Sequence, residues 1–151
     1  MRVLTVRQPW AWAIIHGGKD VENRVRSLGP YRGPVAIHVG LAMALDAAAL
    51  WPDGILLPLG QYARDAGGTS GHVIGVVDLV DAHPDCTESV DGYGYTPTCS
   101  RWAMPDHHHL VLSNPRPLPR PIPATGRLGL WRPDDALLAA ITEQLAEAPR
   151  G

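Results

Sequence analysis

The chain has 151 residues, 45% of them hydrophobic and 19% charged, with a formal net charge of -2. This length suits one domain with its own core, and the composition excludes a disordered chain. No apolar run approaches the ~20 residues of a membrane helix, and the N-terminus MRVLTVRQPW lacks the apolar stretch of a secretory signal, so a cytoplasmic protein without a membrane partner is expected.

The charge is unevenly placed. Residues 1–41 sum to +4, 42–106 to -7, 107–132 to +4 and the last 19 to -3. If the two basic segments meet in the fold, one face becomes positive and attracts phosphate. Only two cysteines occur, Cys86 and Cys99, and in a cytoplasmic chain they are expected to be reduced.

RVLTVR (2–7) is short and rich in β-branched residues, which predicts a first strand. Pro9 suits the first turn of a helix running to about His16, ended by Gly17-Gly18. Val21 to Arg24 resumes an extended course, and PVAIHV (34–39) reads as a strand. Residues 42–51 and 57–66 are helix-prone. HVIGVVDLVDAH (72–83) is the clearest strand, with Gly75 a candidate bulge or close approach. Residues 84–106 read as loop and HHLVLSNP (108–115) as a strand. PRPLPRPIP (115–123) has too many prolines for a central strand and is expected at a sheet edge or as polyproline II. GRLGLW (126–131) predicts a last strand, and residues 134–148 a closing helix on Leu137, Leu138, Ile141 and Leu145. Without repeat, linker or βαβ alternation, this is a single α+β domain over 1–151: a small open barrel of five or six strands with flanking helices.

GGKDVENR (17–24) is the leading site candidate. In an extended stretch Glu22 and Arg24 point one way and Val21 and Asn23 the other, with Lys19 at the mouth of the first face. Lysine and arginine supply positive charge, and glutamate acts as a base or fixes the lysine. The competing interpretation is a surface ladder of ion pairs. Gln8 and Trp10 stand at the helix start, whose free N–H groups suit an anion, and a tryptophan there can stack on a base. Tyr31, Arg32 and His38 are candidates for the same opening, and Ser113 for its rim.

The run His107-His108-His109, with Cys86 and Cys99 in the preceding loop, invites a zinc reading. Its spacing fits no familiar tetrahedral pattern, and consecutive strand histidines face opposite ways, so no metal ligand is assigned. The GxSxG and HExxH signatures and phosphate-cradling glycine loops are absent.

The ordered set Gln8-Pro9-Trp10-Ala11, Gly17-x-Lys19-x-x-Glu22-x-Arg24, Tyr31-Arg32-Gly33 and Ile37-His38 resembles the ASCH domain, a family related to the PUA barrel. The strand GVVDLVD, a loop with Trp102, LSNPRPL and GLW extend the resemblance over roughly residues 2–132. It implies a PUA-like barrel whose cleft is lined by Lys19, Glu22 and Arg24, and a link to RNA or nucleotide chemistry. The family includes nucleic-acid binders, a metal-assisted ribonuclease and an amidohydrolase of N4-acylated cytidine. In the amidohydrolase a lysine, a threonine and a glutamate act. Lys19 matches the lysine, but Glu22 stands at the threonine position.

The expectation is therefore a cleft that binds RNA, single-stranded DNA or a nucleotide through Gln8, Trp10, Lys19, Arg24, Tyr31, Arg32, His38, Trp102 and Ser113. The alternative is a hydrolase in which Lys19 and Glu22 are the catalytic pair. No cofactor is expected, except a divalent cation if the chain is a nuclease.

Overall fold

The computed structural model describes residues 1–89, 95–96 and 98–147. Its elements are β1 (Arg2–Val6), α1 (Trp10–His16), β2 (Val21–Arg24), β3 (Gly33–Val39), α2 (Ala47–Leu50), α3 (Leu59–Ala66), β4 (His72–His83), β5 (Glu88–Ser89), β6 (Tyr95–Thr96), β7 (His108–Pro123), β8 (Leu130–Trp131) and α4 (Asp135–Glu147). Six strands form one curled half-barrel in the order β2-β7-β4-β3-β1-β8, and β5 pairs with β6 apart from it.

β1 and β3 run parallel, with Arg2 opposite Val35 and Val6 opposite Val39. The chain must therefore cross over between them, and that crossover carries α1 and β2. Period-2 alternation sends neighbouring residues to opposite faces of the sheet. Leu4, Ile37 and Val77 pack with Ile14 and Ile15 of α1 on one face, whereas Val3, Ala36 and Val76 pack with Trp131 and Ile141 of α4 on the other. A third cluster, Trp12, Ala13, Val21 and Trp102, ties α1 to β2 and to the loop before β7.

β4 spans the predicted 72–83. At Gly75 an added Cβ would lie 2.6 Å from Ile15 Cδ1 and 2.9 Å from the Arg116 carbonyl oxygen, so glycine allows α1 and β7 to close on the sheet. The proline-rich run is part of β7 rather than a separate segment. β2 pairs only with residues 108–111, so the proline stretch is an edge where absent N–H groups cost little. The helix expected over 42–51 contracts to Ala47–Leu50, and the strand expected over 126–131 to its last two residues. Among the described residues no helix is long and apolar enough to cross a membrane.

Candidate functional site

The C-terminal ends of β1 and β3, β2, the start of α1 and the segment 125–129 enclose an open cleft of about 810 Å³. Each residue of KDVENR has a distinct task. Val21 is buried against Trp12 and Trp102. Asp20 accepts a hydrogen bond from Ser100 Oγ. The Asn23 amide donates to the Trp102 carbonyl (2.8 Å) and accepts from the Met104 N–H (2.8 Å), holding the loop at the cleft edge. Lys19, Glu22 and Arg24 line the cleft itself.

Lys19 is 3% exposed, the reverse of a solvated surface ladder. Its Nζ lies 3.3 Å from Glu22 Oε1 and donates to the Val21 carbonyl. It also sits 5.2 Å from the ring centre of Trp10 and 5.8 Å from that of Trp102, a cation between two aromatic rings. Burial lowers the Lys19 pKa from its ordinary value, and the neighbouring Glu22 carboxylate opposes that shift in part. Glu22 Oε2 accepts a hydrogen bond from Arg24 at 3.0 Å, and the same arginine nitrogen donates to the Thr5 carbonyl at 2.9 Å. Arg24 Nε has no partner, the one buried side-chain polar atom so placed among the described residues. An acceptor on a bound molecule would satisfy it.

Trp10 lines the cleft, stacked on Trp51 (centroids 5.3 Å apart, planes 13° apart) and edge-on to Trp102. Trp102 is itself buried and supports that group from behind. Arg7 and Arg127 add two cations that the motif did not identify, so both basic segments contribute to one opening. Glu22 and Asp46 are its acids.

Several candidates are already engaged or lie elsewhere. Gln8 is buried and accepts a hydrogen bond from the Trp12 N–H (2.8 Å), so it fills the helix start that was expected to receive an anion. His38 is at the cleft wall, but both nitrogens are occupied. Its Nε2–H donates to the Ala124 carbonyl (2.7 Å), and Thr5 Oγ1 lies 3.2 Å from Nδ1. Both faces of β3 are covered, so His38 is buried whichever face it takes.

Tyr31 and Arg32 do not reach the cleft. The parallel register puts the start of β3 beside Arg2, at the opposite end of β1 from Arg7. There the Tyr31 hydroxyl donates to the Pro34 carbonyl, and Arg32 lies 3.7 Å from Asp81. Ser113 is exposed on β7 opposite Asp78, also outside the lining. The histidine run splits three ways: His107 lines the cleft, His108 a groove shared with Arg32, and His109 is buried with its Nδ1 3.4 Å from both cysteine sulfurs.

No family model and no curated protein matches the sequence. Among solved structures the chain is similar to ZmASCH from Zymomonas mobilis, crystallised as a tyrosine-to-phenylalanine mutant. The two share 16% identity over 93% of this chain and 96% of that one, with a TM-score of 0.51. The chain has an ASCH-like fold. At that identity the likeness describes the arrangement of strands and helices alone.

Proposed function

We propose that the cleft binds a single-stranded nucleic acid or a nucleotide. The observation that carries this reading is that Arg7, Lys19 and Arg24 from one basic segment and Arg127 from the other line a single opening with Trp10. Phosphates need cations without a fixed base pattern, and a base needs an aromatic face. Arg7, Arg24 and Arg127 meet phosphate oxygens, Trp10 meets a base, and the Lys19–Glu22 pair forms the polar floor. A cleft of about 810 Å³ is in the range of small-ligand sites, so one nucleotide or the exposed end of a strand fits.

A second reading, hydrolysis of the bound nucleic acid or of a modified cytidine, is favoured by one specific feature. A buried amine with a lowered pKa lies 3.3 Å from a carboxylate, a pair suited to moving a proton. Here Glu22 takes the proton and Lys19 stabilises the negative charge that develops.

Labelled single-stranded RNA incubated with and without Mg²⁺ or Mn²⁺, run on native and denaturing gels beside Lys19→Met, separates the readings. An intact, retarded band that weakens several-fold in the variant supports the binding module. Cleavage that disappears in the variant supports the hydrolase. Neither retardation nor cleavage, with free nucleotides also failing to bind, overturns the proposal.

A further inference from the structure

His83, Cys86, Cys99 and His109 lie outside the cleft lining, at the far end of β4, and nothing in the proposed activity uses them. Register explains half of the group. β4 and β7 are antiparallel with His83 directly opposite His109, so the two rings meet across the ladder, centroids 5.3 Å apart and planes at 89°. Cys86 follows three residues after His83, just past the strand end. Cys99 enters from the loop that precedes β7.

One donor atom from each residue lies within 4.8 Å of all the others. His109 Nδ1 is 3.4 Å from Cys86 Sγ and 3.4 Å from Cys99 Sγ. Zinc bonds of about 2.3 Å to sulfur and about 2.0 Å to nitrogen, at the tetrahedral angle, separate sulfur from nitrogen by roughly 3.5 Å. The donors are thus already near the spacing that a metal imposes.

Both histidines are oriented as ligands are. His109 Nε2–H donates to the Met104 carbonyl at 2.6 Å, which leaves the Nδ1 lone pair facing the sulfurs. His83 Nδ1–H donates to the Pro84 carbonyl at 2.8 Å, which leaves Nε2 as its free donor. A backbone carbonyl on the non-ligating nitrogen is the usual support of a metal-bound imidazole. The metal-free alternative is less complete: one Nδ1 lone pair cannot accept a hydrogen bond from two thiols.

We propose that these four side chains bind a structural zinc ion. A tetrahedral set of two thiolates and two imidazoles suits zinc among the common divalent metals. All four positions come from the protein, so no place remains for a reacting water, and the ion supports the fold rather than chemistry. The spacing is H-x2-C-x12-C-x9-H. The ion would fasten the 84–106 connection to the sheet. Met104 accepts from His109 and donates to Asn23, and Asn23 also holds Trp102, so the clamp extends to the cleft wall beside Lys19.

The test uses the whole chain, freed of any histidine tag and purified under reducing conditions. Metal content, the absorption spectrum after cobalt substitution, and the melting temperature with and without a zinc chelator are measured. The expected result is ~1 zinc per chain that survives dialysis, an intense tetrahedral cobalt spectrum with a thiolate charge-transfer band, and a lower melting temperature on chelation. Cys99→Ser is predicted to weaken zinc binding by more than about 100-fold and to remove much of that band. His107→Asn and His108→Asn are predicted to change neither. Zinc lost on dialysis, a weak octahedral cobalt spectrum, unchanged zinc binding in Cys99→Ser, or a Cys86–Cys99 disulfide would each overturn the proposal. The wild-type cobalt spectrum decides the matter even if a variant fails to fold.

Discussion

Lys19 Nζ and Glu22 Oε1 lie 3.3 Å apart at the floor of the cleft, with side chains 2% and 9% exposed. Attraction at that depth offsets only part of the cost of removing the Lys19 charge from water, and taking away one partner strands the other. Glu22→Gln is therefore predicted to destabilise the fold by about 3 kcal/mol near neutral pH.

The same variant has a pH signature. Burial already lowers the Lys19 pKa, and loss of the carboxylate that opposes the shift lowers it further. Between this depressed value and the ordinary lysine value of about 10.4, the unfolded chain holds more protons, so stability rises with pH. Wild-type Lys19 shares that rise above its own folded pKa, so the penalty of Glu22→Gln is predicted to be full below the variant's folded pKa and to shrink only up to the higher folded pKa of the wild type. Urea unfolding at about pH 7 and about pH 9.5 measures it, and an equal deficit at both would rule out a buried charge as the cause.

Gly75→Ala tests the close approach of α1 and β7. The new Cβ would meet Ile15 Cδ1 at 2.6 Å and the Arg116 carbonyl oxygen at 2.9 Å. Ile15 can rotate, but the β7 backbone cannot yield without breaking its ladder to β4. The expected loss is about 1–3 kcal/mol in urea unfolding, with the same cleft ligand bound once the variant is folded. A neutral result would mean that β7 is free to move outward here.

These elements show what was legible before the fold was known. β4 is legible at its full length because its β-branched run is bounded by Gly71 and Pro84. The 42–51 helix is not, because Met43 and Leu45 find no surface to cover and remain 54% and 96% exposed. Local alternation sufficed to bring Glu22 and Arg24 to one face with Lys19. It could not show that β3 runs parallel to β1, which carries Tyr31 and Arg32 to the wrong end. The His83–His109 pairing and the meeting of Arg7 with Arg127 likewise depend on long-range register, which neighbouring residues do not encode.

Asp78 and Arg116 join β4 to β7 with bonds of 2.9 and 3.3 Å, and Asn114, in the left-handed region at φ 52°, donates to the same carboxylate. The Arg116 hydrogen bonds hold the Asp78 carboxyl below its ordinary pKa. A depressed carboxyl contributes stability that is complete above the unfolded value of about 3.9 and is lost as pH falls through the folded one. Acid unfolding of Asp78→Asn is thus predicted to be shallower over that interval than in the parent, with little further change above about pH 5. Superimposable acid limbs would show that solvent screening cancels the pair.

Arg7 and Arg127 provide the clearest separation of a phosphate cleft from a metabolite cleft. They come from the two basic segments and flank the floor, whereas Lys19 and Arg24 are already engaged with Glu22. Each exposed cation that neutralises a phosphate of a single strand releases condensed counterions, contributing about -0.7 to the slope of log affinity against log salt. Arg7→Ala and Arg127→Ala should each reduce the steepness by about 0.7, and the double variant by about 1.4. Trp10→Ala should cost about 1–3 kcal/mol of affinity at any salt concentration, because stacking releases no counterions. Fluorescence anisotropy of a labelled single strand at several salt concentrations measures both effects. If the slope is unchanged in the double variant while Trp10→Ala abolishes binding, the cleft takes an uncharged base or nucleoside and the arginines serve only as its rim.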